Sequence, residues 1–359
     1  MQDSTKPITF ANKNYMMTKL SIVIPVYNVE RFIRPCLESV FRQGLDDNDY
    51  EVIIINDGTK DKSMEMIADI ISLHKNITVI NQENQGLSVV RNNGILVAKG
   101  DYILMPDSDD LLIDNSLKPL LEAALLTKAD LVVADFVKMN EEEIDKMNSS
   151  HLQQEKFIYK EKTGEQLFLE DLNPYQCYVW RTLFRRSFLL ENNIRFVPGI
   201  YIQDVPFTHE CYIKARKCLR TSWLLNIYRK GHESSTSSFK MKLGKDFCTA
   251  IAKTWELTNI SGLTPSIQKK LKNDIYTSFS FMICSTSHSM HSSEREEIID
   301  FLKKQAPDLD FNDNSKQKLA TFMYRNMPHI FIHLRHYYGK IVEDLIRPFI
   351  SHKLNIKGI

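Results

Sequence analysis

The sequence predicts an α/β fold with a mainly parallel sheet covered by helices on both faces. Three observations predict it. Short apolar runs rich in valine and isoleucine recur along the N-terminal part of the chain. Each is followed by a segment with helical spacing of its apolar positions, the alternation of βαβ units. Polar clusters, "PVYN", "NDGTKD" and "DSDD", follow three of the runs, and ligands in such sheets bind beyond the C-terminal strand ends.

The first strand is "KLSIVIPVYN", a compact apolar run broken by Pro25, which reads as a buried parallel strand ending in a loop. "VERFIRPCLESVFRQ" carries Phe32, Ile33, Leu37, Val40 and Phe41 near helical spacing. "YEVIIINDG" is a second buried strand, stopped by Asp57-Gly58; "SMEMIADIISLH" is an amphipathic helix and "NITVINQEN" a third strand. "GLSVVRNNGILVAKG" reads as a helix with Gly100 as its stop. "DYILMPDSDD" and "ADLVVADFV" are the fourth and fifth strands. The acid-bearing stretch "KMNEEEIDKMNSSHLQQEKF" reads as a solvated loop. Aromatics, a helix and a turn then lead to Asp204, and beyond residue 238 only helical periodicity remains. The expected organisation is an N-terminal extension at 1–19, an α/β domain at 20–238 and a helical region at 239–359.

The chain has 359 residues, 43% apolar and 25% charged, with a formal net charge of +1. That composition is globular, and the charge gives no basis for binding nucleic acid. The six cysteines form no CxxC pair, so a reduced, cytosolic protein is expected and a zinc site is not. No run approaches the roughly 18 apolar residues of a membrane span. The first residues lack the apolar core of a signal peptide, and Met16 and Met17 are candidate translation starts.

Several chemistries are excluded by absent motifs. There is no GxGxxG after the first strand, no GxxxxGK[ST], no GxSxG and no HExxH. Carboxylates must therefore handle the ligand. Asp107 and Asp109 form a DxD pair at a strand end. In an extended segment alternate side chains share a face, and hard oxygen donors suit magnesium or manganese.

The ordered set "SIVIPVYNVERFIRPCLESVFRQ", "VIIINDGTKDKS" and "NQGLSVVRNNGILVAKGDYILMPDSDD" resembles glycosyltransferase family 2, closely over residues 20–136 and more loosely to about residue 236. The resemblance implies a GT-A fold and a metal-dependent inverting transfer from a nucleotide-diphosphate sugar, with a uridine-diphosphate sugar as the expected donor. The implied acceptor is a hydroxyl of a glycan or lipid-linked saccharide, in surface polysaccharide synthesis. The alternatives are a polyprenyl-phosphate glycosyltransferase, a nucleotidyltransferase or a non-catalytic sugar-nucleotide binder. By position, the resemblance implies that Pro25, Tyr27, Asn28 and Glu30 shape the nucleotide pocket. Asp57 would bond the uracil edge, and Arg91 would lie near the nucleotide. Asp107, with Ser108 beside it, would approach the ribose or sugar. Asp109, with Asp107, would hold a manganese or magnesium ion. Asp110 would cap the following helix or bind a sugar hydroxyl. Asp204 is the implied general base. Asn56 and Gln203 stand where the family often carries acids.

Other features keep two readings. Asp57 before Gly58 is also a good turn former. Trp180 is either a sugar-stacking platform or core, and Arg185-Arg186 either a solvated helix face or an acceptor-phosphate contact. His232 is either on a loop closing over the diphosphate or an ordinary surface histidine. Cys211 and Cys218 read as packing residues of one helix. The basic, aromatic tail from 325 to 359 either lies on an anionic membrane surface, at the inner face of the cell membrane, or closes the C-terminal unit or a homodimer contact.

Overall fold

The computed structural model describes residues 18–147, 152, 156–231, 240–311 and 313–341. The extension at 1–17, His232, the expected boundary at 238 and the tail from 342 onward lie outside the described residues.

Among the described residues nine strands form one sheet: β1 (Leu20–Val26), β2 (Tyr50–Asn56), β3 (Ile77–Asn81), β4 (Tyr102–Leu104), β5 (Leu111–Leu112), β6 (Leu131–Asn140), β7 (Lys160–Lys162), β8 (Thr182–Arg185) and β9 (Cys218–Lys230). Their order is β3-β2-β1-β4-β8-β6-β9-β5, with β7 paired to β9. The β3-β2-β1-β4 half is parallel, as the apolar runs predict. The other half is mixed, because β8 enters antiparallel between β4 and β6 while β6 and β9 run parallel. Register shifts around Asp135 bend the β6–β9 pair, the local effect of a bulge.

Pro25 does not end β1. The strand continues to Val26, but β4 pairs with it only over Leu20–Ile22. Pro25 therefore sits where β1 has one neighbour, the edge-like setting that tolerates a missing N–H.

Thirteen helices are described: α1 (Ile33–Val40), α2 (Ala68–Leu73), α3 (Leu87–Val97), α4 (Leu117–Thr127), α5 (Glu141–Asp145), α6 (Gly164–Glu170), α7 (Arg186–Glu191), α8 (Asp204–Lys214), α9 (Met241–Glu256), α10 (Pro265–Ser289), α11 (Ser292–Gln305), α12 (Ser315–Asn326) and α13 (Pro328–Ile341). Part of the expected acidic loop has regular structure. β6 runs on to Asn140, which caps α5 in a reciprocal box with Glu143. Cys211 lies on α8, whereas Cys218 begins β9; both are buried.

Period-two alternation divides the core between the sheet faces. Ile22, Ile24, Val52 and Ile54 pack with α1 and α4 on one face. Val23, Ile53 and Ile55 pack on the other with Val90 and Ile95 of α3, in a cluster that reaches Leu302, Tyr324 and Ile332 in the C-terminal helices. Each fully buried aliphatic side chain contributes about 1.5–3 kcal/mol, so both faces hold the strand ends firmly.

Candidate active site

The loops after β1 and β2 are cross-linked. Asn28, with φ of 53°, donates its N–H to Thr59 Oγ1 at 2.8 Å. Glu30 donates its N–H to Asp61 at 2.9 Å and accepts from the Lys62 N–H at 3.0 Å. Burial raises the Asp61 pKa, but hydrogen bonds from Ser63, Thr59 and the Glu30 N–H outweigh it and hold it at about 2. Tyr27 stands beside this bracket with 44% of its surface exposed, an aromatic face open to a ligand. Pro25 is buried in the strand below.

Asp57 is a loop anchor. Its Oδ1 accepts from Gln82 Nε2 at 2.8 Å and the Gln85 N–H at 2.9 Å, and its Oδ2 accepts from the Gly86 N–H at 2.8 Å. Those bonds fix the segment entering α3, where Gly86 has a φ of 84° that favours glycine. Asn56 donates to Asn81 Oδ1 at 2.9 Å, a bond no ionised carboxylate could make.

The acid cluster lies on a turn, not on extended strand. β4 ends at Leu104, and the Asp110 N–H donates to the Asp107 carbonyl at 3.2 Å. One carboxylate oxygen from each of Asp107, Asp109 and Asp110 lies within 4.8 Å of the others. Ser108 is buried between them. Asp110 does not cap a helix: Leu111–Leu112 form β5, and α4 begins only at Leu117. Its Oδ1 accepts from the Arg229 N–H at 2.8 Å, while Oδ2 is buried without a hydrogen-bond partner among the described residues. Burial, then the charges of Asp107 and Asp109, push Asp110 up to about 9. Burial also raises Asp107 to about 7, with Asp109 and Asp204 adding to the rise and Arg91 opposing it. Crowded carboxyls carrying an orphaned buried oxygen are the donor set a divalent cation satisfies.

Arg91 joins motifs far apart in sequence. Its Nη2 donates to Asp107 at 2.5 Å and its Nη1 to Asp204 at 2.9 Å. The guanidinium is closed from solvent, but both acids keep 29% exposure, enough for a ligand to reach them. Asp204 is the first residue of α8, where the helix dipole favours a carboxylate. Burial nonetheless raises its pKa against the opposing pull of Arg91 and Gln203. Gln203 Nε2 donates to Asp204 Oδ1 at 2.5 Å, which a glutamate at 203 would repel. Among the described residues the hydrogen bonds to Asp204 fall on Oδ1, from Arg91 and Gln203.

Sequence reasoning missed Arg229. This buried arginine donates from Nε to the Asp109 carbonyl at 2.8 Å and from Nη1 to Glu141 at 2.6 Å. Glu141 belongs to the acid run read as solvated. The available signal was a lone arginine within an apolar strand pattern, just before Gly231. Trp180 is buried and belongs to the core rather than a ligand surface. Arg185 is an ion-pair partner of Asp130, which ties β8 to the turn before β6.

Residues 21–190 match the family model for glycosyl transferase family 2. They are a family 2 glycosyltransferase domain. Among curated relatives of this domain, the uncharacterized glycosyltransferase EpsJ of Bacillus subtilis is 35% identical over 222 residues, 62% of this chain and 64% of that protein. The match thus spans less than two thirds of that relative's length. Among solved structures, S. aureus TarS 1-349 in complex with UDP-GlcNAc aligns with a TM-score of 0.69 at 19% identity, covering 92% of each chain. Mannosyltransferase PcManGT from Pyrobaculum calidifontis, in complex with GDP-Man and Mn2+, aligns with a TM-score of 0.50 at 12% identity, over 90% of this chain and 88% of that one. These likenesses show the GT-A fold.

Proposed function

We propose that the protein is a metal-dependent, inverting glycosyltransferase. It moves a sugar from a uridine-diphosphate donor to a hydroxyl of a glycan or lipid-linked saccharide, in surface polysaccharide synthesis. One observation carries this reading: a single buried guanidinium holds the donor-side acid Asp107 and the base Asp204 together. Asp204 Oδ2 takes the proton from the acceptor hydroxyl as its oxygen bonds to the anomeric carbon. The anomeric bond to the diphosphate breaks with its electron pair on the departing oxygen. A positioned base of this kind contributes about 10²–10⁴-fold.

Tyr27 offers its ring to the base of the nucleotide, and Asn28 and Glu30 hold the loop that presents it. Asp57 secures the approach to α3 and so the placement of Arg91, with one lone pair still available to a uracil N–H. Asp109 and Asp107 would hold a manganese or magnesium ion, with Asp110 Oδ2 as a third donor. Such an ion supplies charge neutralisation for a leaving diphosphate. UDP-GlcNAc in the TarS complex supports the uridine assignment, and Mn2+ in the PcManGT complex supports the metal.

Calorimetric titration tests the reading. UDP should bind more tightly with Mn2+, more tightly than GDP, and Asp109→Asn should remove the metal dependence. Asp204→Asn should abolish UDP release from the UDP-sugar that binds, at unchanged UDP affinity. Metal-indifferent binding or retained turnover would sink the respective assignment.

A further inference from the structure

The aromatic residues between the base and the acid cluster are unused by the chemistry above. Tyr178, Trp180 and Tyr228 have ring centroids 4.8, 5.8 and 6.0 Å apart, and their planes lie within 24° of parallel. A column of three stacked rings would separate its outer pair by about twice the stacking distance, beyond the roughly 7 Å limit of direct ring contact. The three rings instead form one compact cluster of near-parallel planes. Trp180 is only 2% exposed, whereas both tyrosines are half-buried. A cluster serving the core alone would have closed the tyrosines as it closed the tryptophan. Phe136 meets Trp180 edge-on at 4.9 Å and Tyr178 at 5.3 Å, fixing the rings from the side.

The chain places this tile beside the reacting groups. Tyr178 follows Cys177, whose carbonyl accepts from Thr208 Oγ1 at 3.1 Å, one turn along α8 from Asp204. Tyr228 precedes Arg229, whose N–H groups hold Asp110 and the Asp109 carbonyl. Tyr228 is the register partner of Lys138, whose exposed ammonium lies 5.8 Å from the Tyr228 centroid. Burial raises the pKa of both phenols, with the charges of Asp204 and Asp110 adding at Tyr178 and those of Asp110, Asp109 and Asp107 at Tyr228. Both hydroxyls therefore stay protonated and can donate.

We propose that Tyr178 and Tyr228, packed with the buried Trp180, form an acceptor subsite that stacks one pyranose ring of the acceptor, with Lys138 at its rim. A pyranose suits the tile because its axial C–H bonds make one apolar face while its hydroxyls ring the edge. Half-exposed tyrosines match that pattern, with an apolar body and a polar tip. The assignment rests on the transferase reading, since it makes Asp204 the group that meets the bound sugar's hydroxyl.

Saturation-transfer NMR on the full chain, with Mn2+ and UDP present, tests it using methyl glycosides of glucose, galactose, N-acetylglucosamine and mannose. Transfer to the ring protons of at least one glycoside is expected. It should fall several-fold in Tyr178→Ala and Tyr228→Ala and persist in Tyr228→Phe, which keeps the ring. UDP affinity, set by the loops after β1 and β2, serves as the folding control for each variant. No transfer across the panel, or transfer that survives both alanine variants, would overturn the subsite. If UDP fails to bind the wild type while the tyrosine-dependent transfer holds, the donor assignment falls and the subsite stands.

Discussion

Arg91 shows how one side chain sets the chemistry of two others. Its end nitrogens serve Asp107 and Asp204, its Nε has no hydrogen-bond partner, and the guanidinium lies 5.4 Å from the Phe196 ring centroid. Removing one partner of a buried ion pair typically costs about 3–5 kcal/mol. Arg91→Lys keeps the charge but replaces a planar fork with a single ammonium, which cannot hold both acids in the same geometry. The variant should melt several degrees lower. The acidic limb of its kcat/KM profile should move to higher pH, because Arg91 is what restrains Asp204 from rising further. An unmoved limb would show that Asp204 is not governed by this arginine. The acid cluster has its own pH signature. Asp107 at about 7 and Asp110 at about 9 lie above the ordinary carboxyl range. Between about pH 4 and those values the folded state keeps protons that the unfolded chain has released. Stability in EDTA should therefore decline as pH rises from 5 to 8. Mn2+ should restore it by more at pH 8 than at pH 5, and Asp110→Asn should flatten the decline. Identical pH slopes for wild type and variant in EDTA would refute the account.

Among the elements, α3 fits closely against the sheet. It delivers Arg91 to the site, and Gly94, one turn later, lies so close to β1 that an added Cβ would run into the Val23 side chain. Gly94→Ala should lower stability by about 1–3 kcal/mol, the usual range for overpacking, read as a lower urea midpoint at unchanged slope. UDP affinity should weaken with it. Adding Val23→Ala should recover part of the loss; a double variant no more stable than the single would mean the contact with β1 is not the cause. Elements of this kind were legible in the sequence, since β1 to β4 and α3 follow from apolar runs and helical spacing. β8 was not, because four residues carry no period. β9 was not either, because Arg220, Thr221 and Ser222 interrupt its apolar pattern where the strand bulges against β6. At the site, Asp107, Asp109 and Asp204 were legible as motif positions. Their joining through Arg91 was not, because Arg91 and Asp204 stand 113 positions apart and periodicity carries no information on such contacts. Arg229 escaped for the same reason, at a separation of 119 from Asp110.

At the scale of the molecule, the C-terminal helices share one apolar cluster with the sheet. His209 on α8, the helix that begins at Asp204, approaches Asp274 of α10 with 3.4 Å between Nε2 and Oδ2. Phe331 and Ile332 of α13 are part of that shared core, so deleting this helix would unseat far more than a surface. Other apolar side chains of the same region are open to solvent: Ile330 is 54% and Leu334 43% exposed on α13, with Leu319 and Phe322 exposed on α12. None of the described helices is long and apolar enough to cross a membrane. An exposed apolar row on a helix can instead lie in the interface of a bilayer, the contact proposed for residues 325–359 with a lipid-linked acceptor. Substitution of the exposed positions tests this. Ile330→Glu with Leu334→Glu should leave the melting temperature nearly unchanged, as surface changes usually do. Flotation with phosphatidylglycerol-containing vesicles should fall sharply, and wild type should float less with phosphatidylcholine alone. If the double variant floats as well as the wild type, this face of α12 and α13 does not carry the protein to a membrane.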